Sequence, residues 1–133
     1  MGIEMQMLAW AIVLGLAQVL ITAGAITRER GLTWNASARD GAVPPPGPVA
    51  GRLQRAQANF LETFPFFAAA VLAVVLTQRQ DSTTALAVQL YFWARLVYVP
   101  LYAAGVPYIR SLVWVVSMVG IVLLLWTLLH GVA

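Results

Sequence analysis

The chain has 133 residues, 61% of them hydrophobic, with eight arginines, five carboxylates, a net charge of +3 and one histidine. An average soluble domain carries about a quarter charged residues; here they make up 10%, and the apolar residues fall in blocks long enough to cross a bilayer. The sequence has neither cysteine nor lysine, which excludes disulfides, thiolate metal sites, a cysteine nucleophile and Schiff-base chemistry, and the lone His130 falls short of the three or four ligands that zinc takes.

A bilayer core needs about 20 apolar residues of helix. Four such stretches, with short punctuation between them, predict a single all-α membrane domain over residues 1–133. The first span, 5–26, carries no charge, and Glu4 stands where a signal peptide would have Lys or Arg, which argues against cleavage. Residues 27–51 are polar and contain the run Pro44-Pro45-Pro46-Gly47-Pro48, so they read as an exposed loop whose prolines stiffen the return to the membrane. The second span, 52–77, includes Pro65, which frees one carbonyl and bends the helix. Asp81 or Ser82 caps the third span, 82–104, which contains Pro100. Gly105-Val106-Pro107 is the next break, and Pro107 opens the fourth span, 108–129.

Loops rich in Lys and Arg stay in the cytoplasm. Arg28, Arg30, Arg39, Arg52 and Arg55 lie in or beside the first loop, Arg110 closes the third, and neither terminus carries a basic side chain. Both termini of this multi-pass protein are therefore expected on the non-cytoplasmic side. No internal repeat supports an inverted-repeat transporter, and no nucleic acid partner is expected.

Charged side chains at membrane depth are costly and usually face protein or water. In the second span Arg52, Arg55, Asn59 and Glu62 are spaced three, four and three apart, which confines them to a stripe about 80° wide. In the third, Tyr91, Arg95, Tyr98 and Tyr102 are spaced four, three and four apart and cover about 60°. A structural account pairs Glu62 with Arg95 to hold the bundle together. That pair leaves several arginines, an amide and three phenols unexplained, and such a set suits a small zwitterionic, polyanionic ligand, since arginine forks onto carboxylates. Arg110 adds a cation that would favour the thiolate of a bound thiol, or else anchors the topology at the membrane surface. A proton relay would need more titratable groups than one intramembrane carboxylate.

Two stretches carry a resemblance to a known family. Arg52-Leu53-Gln54-Arg55-Ala56-Gln57-Ala58-Asn59-Phe60-Leu61-Glu62-Thr63-Phe64-Pro65 resembles the second-helix signature of the MAPEG proteins, the membrane-associated proteins of eicosanoid and glutathione metabolism, as R-x-x-R-A-Q-x-N followed by x-x-E-x-x-P. Tyr91-Phe92-Trp93-Ala94-Arg95-Leu96-Val97-Tyr98 with Tyr102 is similar to the family's A-R-x-x-Y-x-x-x-Y stretch, and Pro107-Tyr108-Ile109-Arg110-Ser111 resembles the P-x-I-R-S of its prostaglandin-E-synthesising members. Within the family the chain resembles the bacterial-type microsomal glutathione transferases.

The resemblance implies a four-helix subunit in a homotrimer, with glutathione bound as co-substrate between adjacent subunits near the cytoplasmic face. Carried over by position, Arg55, Asn59 and Glu62 would hold the tripeptide, with Arg52, Arg95, Tyr98 and Tyr102 adding contacts or support. Gln57 matches a family contact although it lies about 200° around the helix from Arg55, as expected if one helix faces two sites of a trimer. Arg28 or Arg30 would reach the glycine-end carboxylate. Arg110 matches the catalytic arginine that stabilises the thiolate. The chain departs from the pattern at Thr63, where many members have tyrosine, and in the length of the gap from Tyr102 to Arg110.

The expected function is thus a membrane glutathione transferase or peroxidase, which adds the thiolate to a lipophilic electrophile or reduces a lipid hydroperoxide. The alternatives are a non-catalytic lipid- or glutathione-binding module, as in the family's non-enzymatic branch, and a scaffold trimer. Membrane lipids are partners in each case.

Overall fold

The computed structural model describes residues 1–130; the last three residues of the expected 1–133 domain lie outside the described ones. The described residues form five helices: α1 (Ile3–Arg30), α2 (Leu32–Ala36), α3 (Pro48–Leu76), α4 (Ser82–Ala103) and α5 (Ile109–His130). All but α2 are long and apolar enough to cross a membrane, and together they make an all-helical membrane bundle.

The helix ends explain where the expected boundaries moved. α1 runs four residues past the expected end because Thr27–Arg30 bring no helix breaker, and arginines in a last turn complement the helix dipole. Gly31, at φ 91°, stops it and donates its N–H to Thr27 O at 2.7 Å. α3 starts early, with Pro48 in its first turn, where proline is tolerated. The Glu29 carboxylate accepts the Gly47 N–H at 2.8 Å and draws the two helix ends together. The expected 27–51 loop therefore shrinks to 31–47 and holds the short α2, which the sequence reading missed. α4 is capped as expected: Asp81 accepts the Thr84 N–H, and Thr84 Oγ1 accepts the Asp81 N–H, each at 2.9 Å. α5 begins at Ile109 rather than at the proline, because Tyr108 takes a left-handed φ of 57° and its carbonyl accepts the Leu112 N–H.

α3 and α4 form the middle of the bundle. Each packs on the other and on both α1 and α5, whereas α1 and α5 do not meet. The buried row of α3 is Ala56, Phe60, Thr63 and Phe67, which packs against Tyr91 of α4. Thr63 Oγ1 and the Tyr91 hydroxyl lie 3.0 Å apart in a hydrogen bond, and the Phe67 and Tyr91 rings stack at 4.0 Å. At the opposite end Thr84 Oγ1 donates to the buried Glu4 at 2.9 Å, joining the starts of α1 and α4. Arg79 donates to Leu128 O and caps the carbonyl end of α5. Pro65 and Pro100 both lie on exposed faces.

Between 28% and 44% of each span's most apolar window is buried, so most of the apolar surface is left for lipid or other chains. α5 approaches α4 closely at Gly120, where a Cβ would lie 2.6 Å from Ala87 O and 3.0 Å from Tyr91 N. Those are backbone atoms of a packed helix and cannot yield locally. Gly120→Ala is expected to destabilise the bundle by about 1–3 kcal/mol, seen as a lower unfolding temperature in detergent. An unchanged melt would show that α4 and α5 slide freely.

Candidate functional site

The polar stripe of α3 sits one residue before the buried row: Arg55 precedes Ala56, Asn59 precedes Phe60 and Glu62 precedes Thr63. One residue is about 100° of rotation. The stripe is therefore turned out of the core, with Arg55 and Glu62 exposed and Arg52 and Asn59 half-buried. The α4 stripe does the opposite: Tyr91, Arg95 and Tyr98 are buried, and Tyr102 emerges at its end.

This geometry corrects the expected Glu62–Arg95 pair. Glu62 points outward, while Arg95 is 1% exposed, and none of its guanidinium nitrogens has a hydrogen-bond partner. Arg95 instead lies over the Tyr98 ring at 4.3 Å and the Phe60 ring at 5.7 Å. It lies behind the Tyr98 ring, closed off within this subunit.

At the end of α4 the sequence-predicted residues do converge. Arg55 Nε donates to the Tyr102 hydroxyl at 3.2 Å, and the Arg110 guanidinium lies 4.6 Å from the centre of the same ring. Tyr102 thus stands between two cations and meets Tyr98 edge-on at 5.5 Å. Arg52 donates to Ala103 O at 3.5 Å, at the carbonyl end of α4, where a cation also complements the helix dipole. Gly105 accommodates it: a Cβ there would lie 2.8 Å from the Arg52 Cζ, and the backbone takes φ 74°. Asn59 Oδ1 is buried without a partner. Among the described residues no arginine forms an ion pair with a carboxylate, so this corner carries uncompensated positive charge. The arrangement can hold anions between Arg55 and Arg110 and can offer the Asn59 amide and a carboxylate further along α3.

Arg28 and Gln57 are not part of that corner. Gln57 lines a cavity of about 250 Å³ on the α1–α3 side, together with Gln54, Arg30, Trp34 and Arg39. Of the two arginines considered for the end of α1, Arg30 borders this cavity, and Arg28 is exposed outside it. Trp34 and Arg39 were missed by the sequence reading; a tryptophan among arginines in an otherwise polar loop was the available signal. Gln18 of α1 was missed as well: it is 3% exposed, and both polar atoms of its side chain lack partners.

Comparison with protein-family models matches residues 7–130, nearly the whole chain, to the MAPEG family. No curated protein matches the chain.

Proposed function

The chain belongs to the MAPEG family, and on that premise we propose that it is a glutathione-dependent transferase or peroxidase of the membrane. The observation that carries this reading is the outward-facing row Arg55–Asn59–Glu62 of a membrane-crossing helix, placed beside Tyr102 and Arg110. An exposed carboxylate on such a helix demands a cover other than lipid. A tripeptide with an ammonium group and two carboxylates supplies one, and the face of a second subunit closes it.

In this assignment Glu62 takes the ammonium group, the Asn59 side-chain amide donates from Nδ2 to a peptide carbonyl, and Arg55 and Arg110 draw the negatively charged groups. Tyr98 and Tyr102 wall the site, Arg95 positions Tyr98, and Arg52 holds the end of α4 in place. Arg30 and Gln57, on the α1–α3 side, serve a second ligand when that side meets a neighbour's α3–α4 face, as it would in a homotrimer. The Arg110 cation favours the thiolate over the thiol. The thiolate then attacks an electrophile that arrives through the lipid, forming a carbon–sulfur bond as a leaving group such as chloride departs, or attacks a hydroperoxide oxygen, breaking the O–O bond to give the alcohol and a glutathione sulfenic acid that a second glutathione converts to the disulfide and water. Thiolate stabilisation and proximity are all that the conjugation step asks of the protein. We place the site on the cytoplasmic side, with both termini opposite, on the strength of the arginine-rich first loop.

Glu62→Gln separates this reading from a structural one. Glu62 makes no hydrogen bond to the described residues and is exposed, so the variant is expected to keep its unfolding temperature while glutathione affinity falls about tenfold or more, the loss of a charge-assisted contact of about 1.5–3 kcal/mol. Isothermal titration and thermal unfolding on the same detergent-solubilised sample read both. A large fall in unfolding temperature with unchanged affinity would assign Glu62 to folding.

A further inference from the structure

The indole N–H of Trp114 is a donor that the glutathione assignment leaves unused. Indole nitrogens usually find an acceptor when they are buried, and Trp93 does so within its own helix, donating to Gln89 Oε1 at 2.6 Å. Trp114 Nε1 is buried and has no partner. The side chain as a whole is half-buried, which puts it at the edge of the bundle and not in its core. Trp114 follows Arg110 by four residues in α5, so the two share one face of the helix, with the tryptophan about 6 Å deeper in the membrane. Helical side chains lean toward the N-terminus of their helix, and Trp114 therefore covers the turn that Arg110 begins. Arg110 lies 4.6 Å from the Tyr102 ring, at the corner assigned to glutathione. Trp114 thus stands on the lipid side of the thiolate, the side from which a lipophilic electrophile comes.

The movement of charge gives such a donor its use. Arg110 favours negative charge on sulfur, and that charge leaves sulfur as the thiolate attacks. A group that meets the charge where it arrives lowers the barrier to the step. In hydroperoxide reduction it arrives on the departing oxygen: the S–O bond forms, the O–O bond breaks, and the alkoxide keeps the electron pair. On the glutathione reading, which this inference deepens, we propose that the Trp114 N–H donates to that departing oxygen and makes lipophilic hydroperoxides the favoured substrate class of the site. The alkoxide takes a proton from water and leaves as the alcohol, and a second glutathione converts the sulfenic acid to the disulfide and water. A neutral N–H suits the place, because it brings no charge into the apolar layer.

The test compares two electrophiles in the detergent-solubilised full-length protein and in Trp114→Phe, which keeps an aromatic ring and loses the N–H. Cumene hydroperoxide delivers the charge to oxygen; benzyl chloride has no oxygen, and its departing chloride spreads the charge over a larger atom. Trp114→Phe is expected to reduce the hydroperoxide about 10²-fold more slowly, the effect of one lost oxyanion donor. Its conjugation of benzyl chloride should change far less, and its glutathione affinity and thiolate absorbance should stay as in the native protein. Trp114→His, whose Nε2 can take the place of the indole nitrogen, should recover part of the loss. An equal loss with both electrophiles, an unchanged hydroperoxide rate in Trp114→Phe, or a histidine variant no faster than the phenylalanine one would overturn the proposal. So would a native protein that conjugates benzyl chloride and leaves the hydroperoxide untouched. A native protein that binds no glutathione would remove the glutathione reading and this proposal with it, whereas glutathione binding together with any of the other adverse results overturns the role of Trp114 alone.

Discussion

Replacing Arg110 with alanine is expected to lower the rate of glutathione conjugation by about 10²–10³-fold, the loss that follows removal of one electrostatic donor from a reaction centre. The side chain has no ion-pair partner among the described residues and lies 4.6 Å from the Tyr102 ring, with Arg55 bonded to the hydroxyl of that ring. Two cations on one phenol mean that Arg55 retains much of the anion binding when Arg110 is removed. Glutathione affinity should therefore fall less than the rate does. The thiolate absorbance of bound glutathione should disappear in the variant at neutral pH and return as the pH approaches the ordinary thiol range. Conjugation of a chloronitrobenzene substrate and the ultraviolet difference spectrum read these two quantities. An unchanged rate and thiolate signal would reassign Arg110 to anchoring the start of α5.

The second large effect is expected at Arg95, and its sign depends on the replacement. A buried charge without hydrogen-bond partners costs stability, and Arg95 is 1% exposed with all three guanidinium nitrogens unpartnered. Its long stem and planar head still fill space against Phe60 and Tyr98. Arg95→Ala leaves that space empty and should destabilise by about 2–5 kcal/mol. Arg95→Met fills most of it without the charge, so its unfolding temperature should match or exceed that of the native protein, as when buried ionic groups are replaced by apolar ones of similar volume. Glutathione affinity should fall in both variants, because Tyr98 loses the cation behind it. If methionine destabilises as much as alanine, the guanidinium itself holds the bundle together.

The membrane class, the four spans and the cap at Asp81 were legible from the sequence because they rest on hydropathy and local chemistry. The family motif was legible because the spacing of Arg55, Asn59 and Glu62 is specific. Facing was not. The α3 and α4 stripes are both narrow in the sequence, yet one turns outward and the other inward, because the bundle buries the row Ala56–Phe60–Thr63–Phe67, one position beyond the charges. In a membrane helix the lipid-facing and core-facing sides are both apolar, so hydropathy does not choose between them. The same rotation removes Arg95 from the reach of Glu62. It also clarifies the departure at Thr63, whose side chain turns inward and bonds Tyr91. The first loop eluded the reading for a different reason: the order of α2 comes from Arg30 and Arg39 closing on Trp34, contacts that local propensity does not encode.

The central claim is that glutathione is the ligand of the outward-facing α3–α4 corner. Isothermal titration of the detergent-solubilised protein with reduced glutathione tests it most directly. The expected result is saturable binding that weakens in Glu62→Gln and in Arg55→Ala, with the thiolate signal rising in step with occupancy. Heats no different from dilution, at glutathione concentrations up to the millimolar range, would contradict it.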